Sequence, residues 1–129
     1  GGEATQAVKT ANKVADKTTA VIKIQKAVDF TPESAKIVKS LDRSKGYTRS
    51  SLRTGIYIHN GYKATNEFIK KEKEVRLISK LRPDYVDKTR KIIYELKPMN
   101  KRNVKKGIKQ LMRYWEELWH EFEMILELY

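Results

Sequence analysis

The sequence predicts an α/β protein of the α+β kind: a small mixed central sheet with flanking helices, preceded by a helical segment. Three observations carry this prediction. Short β-branched or aromatic runs stand in the second half of the chain, over residues 74–78, at Tyr85-Val86 and over residues 91–96. Ile108, Leu111, Met112, Trp115, Leu118, Trp119 and Phe122 then follow helical spacing. Finally, Phe122, Met124, Leu126 and Leu128 alternate with Glu121, Glu123 and Glu127, a period of two that predicts a last strand with one face buried.

Taken in order, residues 3–28 are rich in Ala, Thr, Val and Lys, and Val8, Ala11, Ala15, Thr18 and Ile22 recur at helical spacing. An amphipathic helix of moderate hydrophobicity is expected there. Thr31-Pro32-Glu33 supplies a cap, a proline at the first helical position and an acid in the first turn, which predicts a short helix to about Leu41. Residues 42–51, polar around Gly46, read as a loop. Over residues 52–71 the pattern is ambiguous, because Gly55 and Gly61 weaken a helix while residues 66–71 favour one, and a helix is placed at about 62–72. The strand over residues 74–78 comes next. Asp87-Lys88-Thr89-Arg90 is a polar turn between two strand-like runs, so an antiparallel hairpin is expected, its second strand ended by Pro98. The resulting division is residues 1–50 as a helical amino-terminal segment or linker and residues 51–129 as the functional core.

Composition bounds the function. With 129 residues the chain is one domain's worth. Its 28 Lys plus Arg against 16 Asp plus Glu leave a net charge of +12, more than solubility needs, and point to a polyanionic partner. Residues 115–129 hold five glutamates and no Lys or Arg, so the basic groups are concentrated in residues 1–114. The absence of cysteine excludes a disulfide scaffold, a thiolate zinc site and a cysteine nucleophile. With His59 and His120 the only histidines, a zinc site or a Ser-His-Asp triad is a poor fit. The longest charge-free stretch, residues 54–62, is far short of the roughly 20 apolar residues of a membrane span. No segment has a signal peptide's apolar centre, so export is expected to depend on chain outside these residues.

The chemistry is concentrated in Arg82-Pro83-Asp84 and, eleven residues after Asp84, Glu95-Leu96-Lys97. Side chains two apart on a strand share a face, so Glu95 and Lys97 point one way and Tyr94 and Leu96 the other. A hairpin brings Asp84 beside them. Two carboxylates and an amine then converge at one end of a sheet, and oxygen donors of that kind suit a hard divalent cation such as Mg²⁺. Such an ion neutralises charge developing on phosphorus and lowers the pKa of a bound water. Lys97 would orient or deprotonate that water, or steady the transition state.

Pro83-Asp84 and Glu95-Leu96-Lys97 match the signature of the PD-(D/E)XK, or restriction endonuclease-like, nuclease superfamily, which this sequence resembles over about residues 55–129. Gln110-Leu111-Met112-Arg113-Tyr114 adds the QxxxY form of some of its branches, and the expected element order is that of its core. The run 82–87, then 93–100, then Gly107 and residues 110–114, further resembles the carboxyl-terminal nuclease toxin domains of bacterial polymorphic toxins, including those of contact-dependent inhibition. That resemblance implies a metal-dependent endonuclease, DNA favoured over transfer RNA or other RNA. It would be exported as part of a larger toxin, act in the target-cell cytoplasm and be neutralised by a cognate immunity protein. Asp84, Glu95 and the Leu96 carbonyl would hold Mg²⁺, or Mn²⁺ in its place, with Lys97 beside the water. The superfamily usually adds an acid from a helix before the first strand: Glu67 is the first candidate, ahead of Glu72 and Glu74. Arg82, Lys101, Arg102, Lys105, Lys106, Gln110 and Tyr114 would contact substrate.

Each motif also has an ordinary structural explanation. Glu-x-Lys on a strand is commonly a solvated ion pair, and Pro-Asp a turn; their order, spacing and the downstream Gln110/Tyr114 pair favour the nuclease. Asp87 is twice as readily a turn residue as a ligand. His59 is weighted three to one toward packing or surface, and Trp115 and Trp119 toward core rather than base stacking. The competing functions are a non-catalytic basic module that only holds nucleic acid, and a repair or restriction nuclease without toxicity.

Overall fold

The computed structural model describes residues 4–9, 19–63, 82–117 and 120–129. Five strands, β1 (Ala4–Lys9), β2 (Thr19–Lys26), β3 (Tyr85–Asp87), β4 (Ile92–Lys97) and β5 (Glu123–Leu128), form one sheet in the order β1-β2-β5-β4-β3. β1–β2 and β3–β4 are antiparallel, whereas β5 runs parallel to both β2 and β4. Three helices, α1 (Pro32–Ser40), α2 (Leu52–Asn60) and α3 (Lys101–Glu117), cover the two faces. The mixed α/β class and the central mixed sheet are as expected.

Where the expected helix over residues 3–28 falls on described residues it is not formed: residues 4–9 and 19–26 are β1 and β2. The physical reason is non-local. β2 lies beside β5 with Ile22 opposite Met124 and Ile24 opposite Leu126, and its Ala20 and Ile22 are fully buried there. Burial against a partner strand a hundred residues away outweighs a local helical spacing. The sheet therefore draws strands from both sides of residue 50. The expected helix at 62–72 and strand at 74–78 fall almost wholly outside the described residues.

The local signals explain most of the other elements. Thr31 caps α1, its hydroxyl accepting from the Ser34 N–H at 3.3 Å, with Pro32 in the first turn. Ser51 does the same for α2, accepting from Thr54 N–H at 3.1 Å. Gly61 ends α2 where it passes α1 so closely that a Cβ there would stand 2.0 Å from Ser34 Oγ. β3 and β4 form the expected hairpin, with Tyr85 opposite Tyr94, and Asp87 accepts from the Arg90 N–H at 2.9 Å to fix its turn. Asp87 thus serves as the turn residue. Asn100 opens α3 by accepting from the Asn103 N–H, so the helix begins before the apolar stripe and ends at Glu117, short of Phe122.

The core has two parts, one on each face. Ile22, Ile93, Met124 and Leu126 meet Leu111, Tyr114 and Trp115 of α3 on one side; Leu96 and Tyr129 meet Phe30, Val38, Ile58 and Tyr62 around α1 and α2 on the other. Trp115 belongs to this core, and Trp119 lies outside the described residues. With both faces covered, Met124, Ile125, Leu126 and Glu127 are all buried, so the expectation that β5 buries one face is corrected. Glu127 tolerates burial because Tyr62 donates to it at 2.5 Å, Gln25 at 2.6 Å and Lys63 at 2.9 Å.

Candidate active site

The register of the β3–β4 hairpin builds the site. Tyr85 faces Tyr94 and Val86 faces Ile93, so one step further Asp84 falls opposite Glu95. β3 has ended by then, and the Asp84 carboxylate replaces its main chain as partner, Oδ2 accepting from the Leu96 N–H at 2.8 Å. On β4, Ile93, Glu95 and Lys97 look toward α3, because their β5 neighbours Met124, Leu126 and Leu128 pack on that side. Gly107 lets the helix approach. A Cβ there would lie 2.5 Å from a Leu126 methyl and 3.1 Å from Lys97 Cγ, so the bare glycine leaves the space that the lysine stem fills.

Glu95 is 3% exposed, and Lys97 Nζ stands 3.6 Å from its Oε2. Burial pushes the Glu95 carboxyl well above the ordinary carboxylate range; the Asp84 charge pushes it the same way, and the Lys97 ammonium only partly opposes them. Tyr114, one of the predicted substrate contacts, is instead buried beneath the site. Its hydroxyl donates to the Arg82 carbonyl at 3.2 Å and to Glu95 Oε1 at 3.3 Å. Burial first, then the Glu95 and Asp84 carboxylates, raise its pKa, so the phenol stays a donor. Gln110, one turn earlier, is half-buried, and its Oε1 has no hydrogen-bond partner among the described residues.

His59, weighted toward packing at the level of sequence, stands in this site. Its Nε2 is 3.6 Å from Asp84 Oδ2 and 3.2 Å from the Leu96 carbonyl oxygen, and its Nδ1 is 3.1 Å from the Gly55 carbonyl. Burial by itself lowers the imidazole pKa, but the Asp84 carboxylate and the Gly55 and Leu96 carbonyls outweigh it and the net shift is upward. The only forewarning was a histidine that falls in the last turn of α2 once Gly55 is accepted inside that helix. Beside it a cavity of about 350 Å³, lined by Ser50, Leu52, Ile56, Pro98 and Tyr129 among others, opens to solvent. Glu67, Glu72 and Glu74 lie outside the described residues. Arg82, Lys101, Arg102, Lys105 and Lys106 are exposed, the last four along the first turns of α3.

Among the described residues no three His, Asp or Glu side chains form a ready-made metal cage. The donor set is therefore open: two adjacent carboxylates and a main-chain carbonyl. That set fits a hard divalent cation, which retains waters and takes further ligands from phosphate. It also answers the electrostatics, since the buried Glu95 carboxylate and the half-buried Asp84 carboxylate beside it favour a positive charge between them. No helix among the described residues is long and apolar enough to cross a membrane.

Neither the curated proteins nor the solved structures compared with this chain gave a match. Residues 47–129 match the family model described as restriction endonuclease fold toxin 9. That span takes in α2, β3, β4, α3 and β5, every element that places a side chain in the site. From the match and the fold together, this chain belongs to the restriction endonuclease fold toxin 9 family and is a nuclease toxin domain.

Proposed function

We propose that the domain is a metal-dependent endonuclease that hydrolyses phosphodiester bonds, DNA first and RNA second, inside a target bacterium. It would arrive there as part of a larger exported toxin, and a cognate immunity protein would neutralise it. One observation carries the reading: Asp84 and Glu95 meet where β3 ends, with the Lys97 ammonium 3.6 Å from Glu95 and the basic start of α3 alongside. A surface made only to hold a polyanion would not bury a carboxylate at the centre of its positive field, because that carboxylate repels phosphate. This favours the nuclease over a non-catalytic binding module.

Asp84, Glu95 and the Leu96 carbonyl would hold the ion, with Mg²⁺ the working metal and Mn²⁺ able to substitute. The ion supplies neutralisation of the phosphoryl oxygens and a water of lowered pKa. The chain's own residues do the rest. Lys97, its stem packed against Gly107 of α3, places an ammonium beside the attacked phosphate. Tyr114 holds Glu95 in orientation from below. Lys101, Arg102, Lys105 and Lys106 neutralise flanking phosphates.

The test is to incubate the purified domain with plasmid and with total RNA, each with Mg²⁺ and with a chelator. Cleavage should require the metal and disappear in Glu95→Ala and Lys97→Ala, both still folded by circular dichroism. Either variant cutting as fast as the parent removes these residues from the mechanism. Expression in a naive bacterium, with and without the neighbouring open reading frame, separates a toxin from a housekeeping nuclease.

A further inference from the structure

We propose that the cavity beside His59 receives one unpaired base of the nucleic acid being cut, so that the domain selects single strands, or places in a duplex where a base can leave its stack. The proposal rests on the nuclease reading above and adds a substrate feature which that reading leaves open. Position is the first support. The cavity, of about 350 Å³, shares His59 with the site, and the Nε2 of that ring is 3.6 Å from Asp84 Oδ2; Pro98, another of its walls, directly follows Lys97. α2 and α3 lie on opposite faces of the sheet. A strand laid across the end of β4 therefore meets Lys101, Lys105 and Lys106 of α3 on one side and this cavity on the other, which gives its phosphates and a base separate places.

The second support is chemical character. The chain is 34% charged, yet among the described residues no Lys, Arg, Asp or Glu lines the cavity. A phosphate subsite in so basic a chain would hold lysine or arginine, whereas this one is built for an uncharged group. Leu52, Ile56, Pro98 and Tyr129 give it apolar walls, and Ser50 and Asn60 give it a hydroxyl and an amide. A base has apolar faces and a hydrogen-bonding edge, and sites for flipped or single-stranded bases combine these two kinds of surface.

The third support is preorganisation. Leu52 and Ile56, one turn apart on α2, are 82% and 54% exposed, an apolar pair held in water at the mouth of the cavity. Tyr129 is fixed in place: its N–H donates to the Lys97 carbonyl at 3.1 Å, and its own carbonyl accepts from the Met99 N–H and the Thr48 hydroxyl, each at 2.7 Å. A fixed wall and an exposed apolar rim gain buried area when a flat group enters, without reordering the fold. In a continuous duplex, pairing and stacking hold the base back, so unpaired segments should be cut fastest.

The test uses an oligodeoxynucleotide and an oligoribonucleotide built on a junction that the unmutated domain cuts in plasmid or in total RNA with Mg²⁺. Each is single-stranded and carries one abasic position, moved step by step past the cleaved bond. At one position beside that bond, loss of the base should slow single-turnover cleavage roughly ten-fold, with little effect at its neighbours. The fully paired duplex should be cut at least about ten-fold more slowly than the single strand. 2-Aminopurine at the sensitive position, with a chelator in place of Mg²⁺, should change its fluorescence on binding without turnover. Ile56→Trp, which fills the cavity from an exposed helix position, should lose that change and should cut intact and abasic strands at the same rate. Cleavage indifferent to every abasic position, or a junction cut in plasmid but in neither single strand, would overturn the base site and leave the nuclease standing. If Ile56→Trp then also escapes the immunity protein, the cavity belongs to that partner's interface. An unmutated domain that cuts neither plasmid nor RNA would overturn both readings. Because the decisive scan is made on the unmutated protein, a variant that fails to fold does not decide the outcome.

Discussion

Replacing Gly107 by alanine tests how the helix α3 and the active strand are fitted together. The new Cβ would stand 2.5 Å and 3.3 Å from the two Leu126 methyls and 3.1 Å from Lys97 Cγ, where ordinary contact begins at 3.4 Å. Leu126 must retreat by about 1 Å, yet it is fully buried in a close-packed core. Overpacking of that kind costs about 1–3 kcal/mol. Alanine in a helix interior returns about 1 kcal/mol relative to glycine. The net loss is about 0–2 kcal/mol, a fall in Tm of up to roughly 8 °C for a domain of this size. Activity should suffer more than stability, because the Lys97 stem is displaced at the same time and a misplacement on the order of 1 Å in a reacting group can cost about a hundred-fold. Guanidinium denaturation followed by tryptophan fluorescence, beside single-turnover cleavage of plasmid, measures the two effects. Leu126→Val should restore part of both losses in the double variant, a coupling that distant sites do not show. A Gly107→Ala protein that is about 1 kcal/mol more stable and cuts at the parental rate would refute the close approach.

Other expectations are more quickly stated. Glu127→Leu deprives Tyr62, Gln25 and Lys63 of a shared acceptor and leaves the Lys63 ammonium, 12% exposed, against the Tyr94 ring at 4.1 Å. Denaturation should show a loss of about 3–5 kcal/mol, with Glu127→Gln clearly milder; equal stability of Glu127→Leu and the parent would remove the buried network from the account. Burial, helped by the Glu127 and Asp87 charges, pushes the Tyr94 hydroxyl up to about 12, and burial with Glu127 raises Tyr62 well above 10.0. Both groups are raised in the fold, so the stability they contribute is full below about pH 10 and is lost as pH climbs through the folded values. Absorbance at about 295 nm recorded with circular dichroism should show these two ionising only as the fold gives way, not in a normal titration of an intact protein. Lys105→Ala with Lys106→Ala should weaken duplex binding and lower the slope of log K against log salt by about two, measured by anisotropy, while leaving Mn²⁺ affinity unchanged. An unchanged slope would place the substrate away from the start of α3.

The hairpin and its chemistry were legible because they are local. Two apolar runs around a polar turn specify one register, and that register alone carries Asp84 to Glu95, while alternation puts Glu95 and Lys97 on one face. α1 was legible from Thr31-Pro32-Glu33, and α3 from its apolar stripe. The failures have the opposite character. β2 reads as helix in the sequence because Ile22 continues the helical spacing of Val8, Ala11, Ala15 and Thr18, and the choice is made by β5, far along the chain. α2 was obscured by Gly55 and Gly61, whose local cost was visible while the Ser51 cap and the fit of Gly61 against Ser34 were not. Glu127 looked like the solvated half of an alternating strand until Tyr62 and Lys63 covered it.

By itself, then, the sequence determined the class of chemistry: a +12 chain without cysteine, carrying Pro-Asp and Glu-Leu-Lys at hairpin spacing. The tertiary structure alone decided which face each β5 residue buries, that the sheet begins before residue 50, and that His59 stands 3.6 Å from Asp84. A hairpin is closed by neighbours and is written in a dozen residues, whereas parallel pairing and helix docking are settled by burial between segments that the chain order keeps far apart.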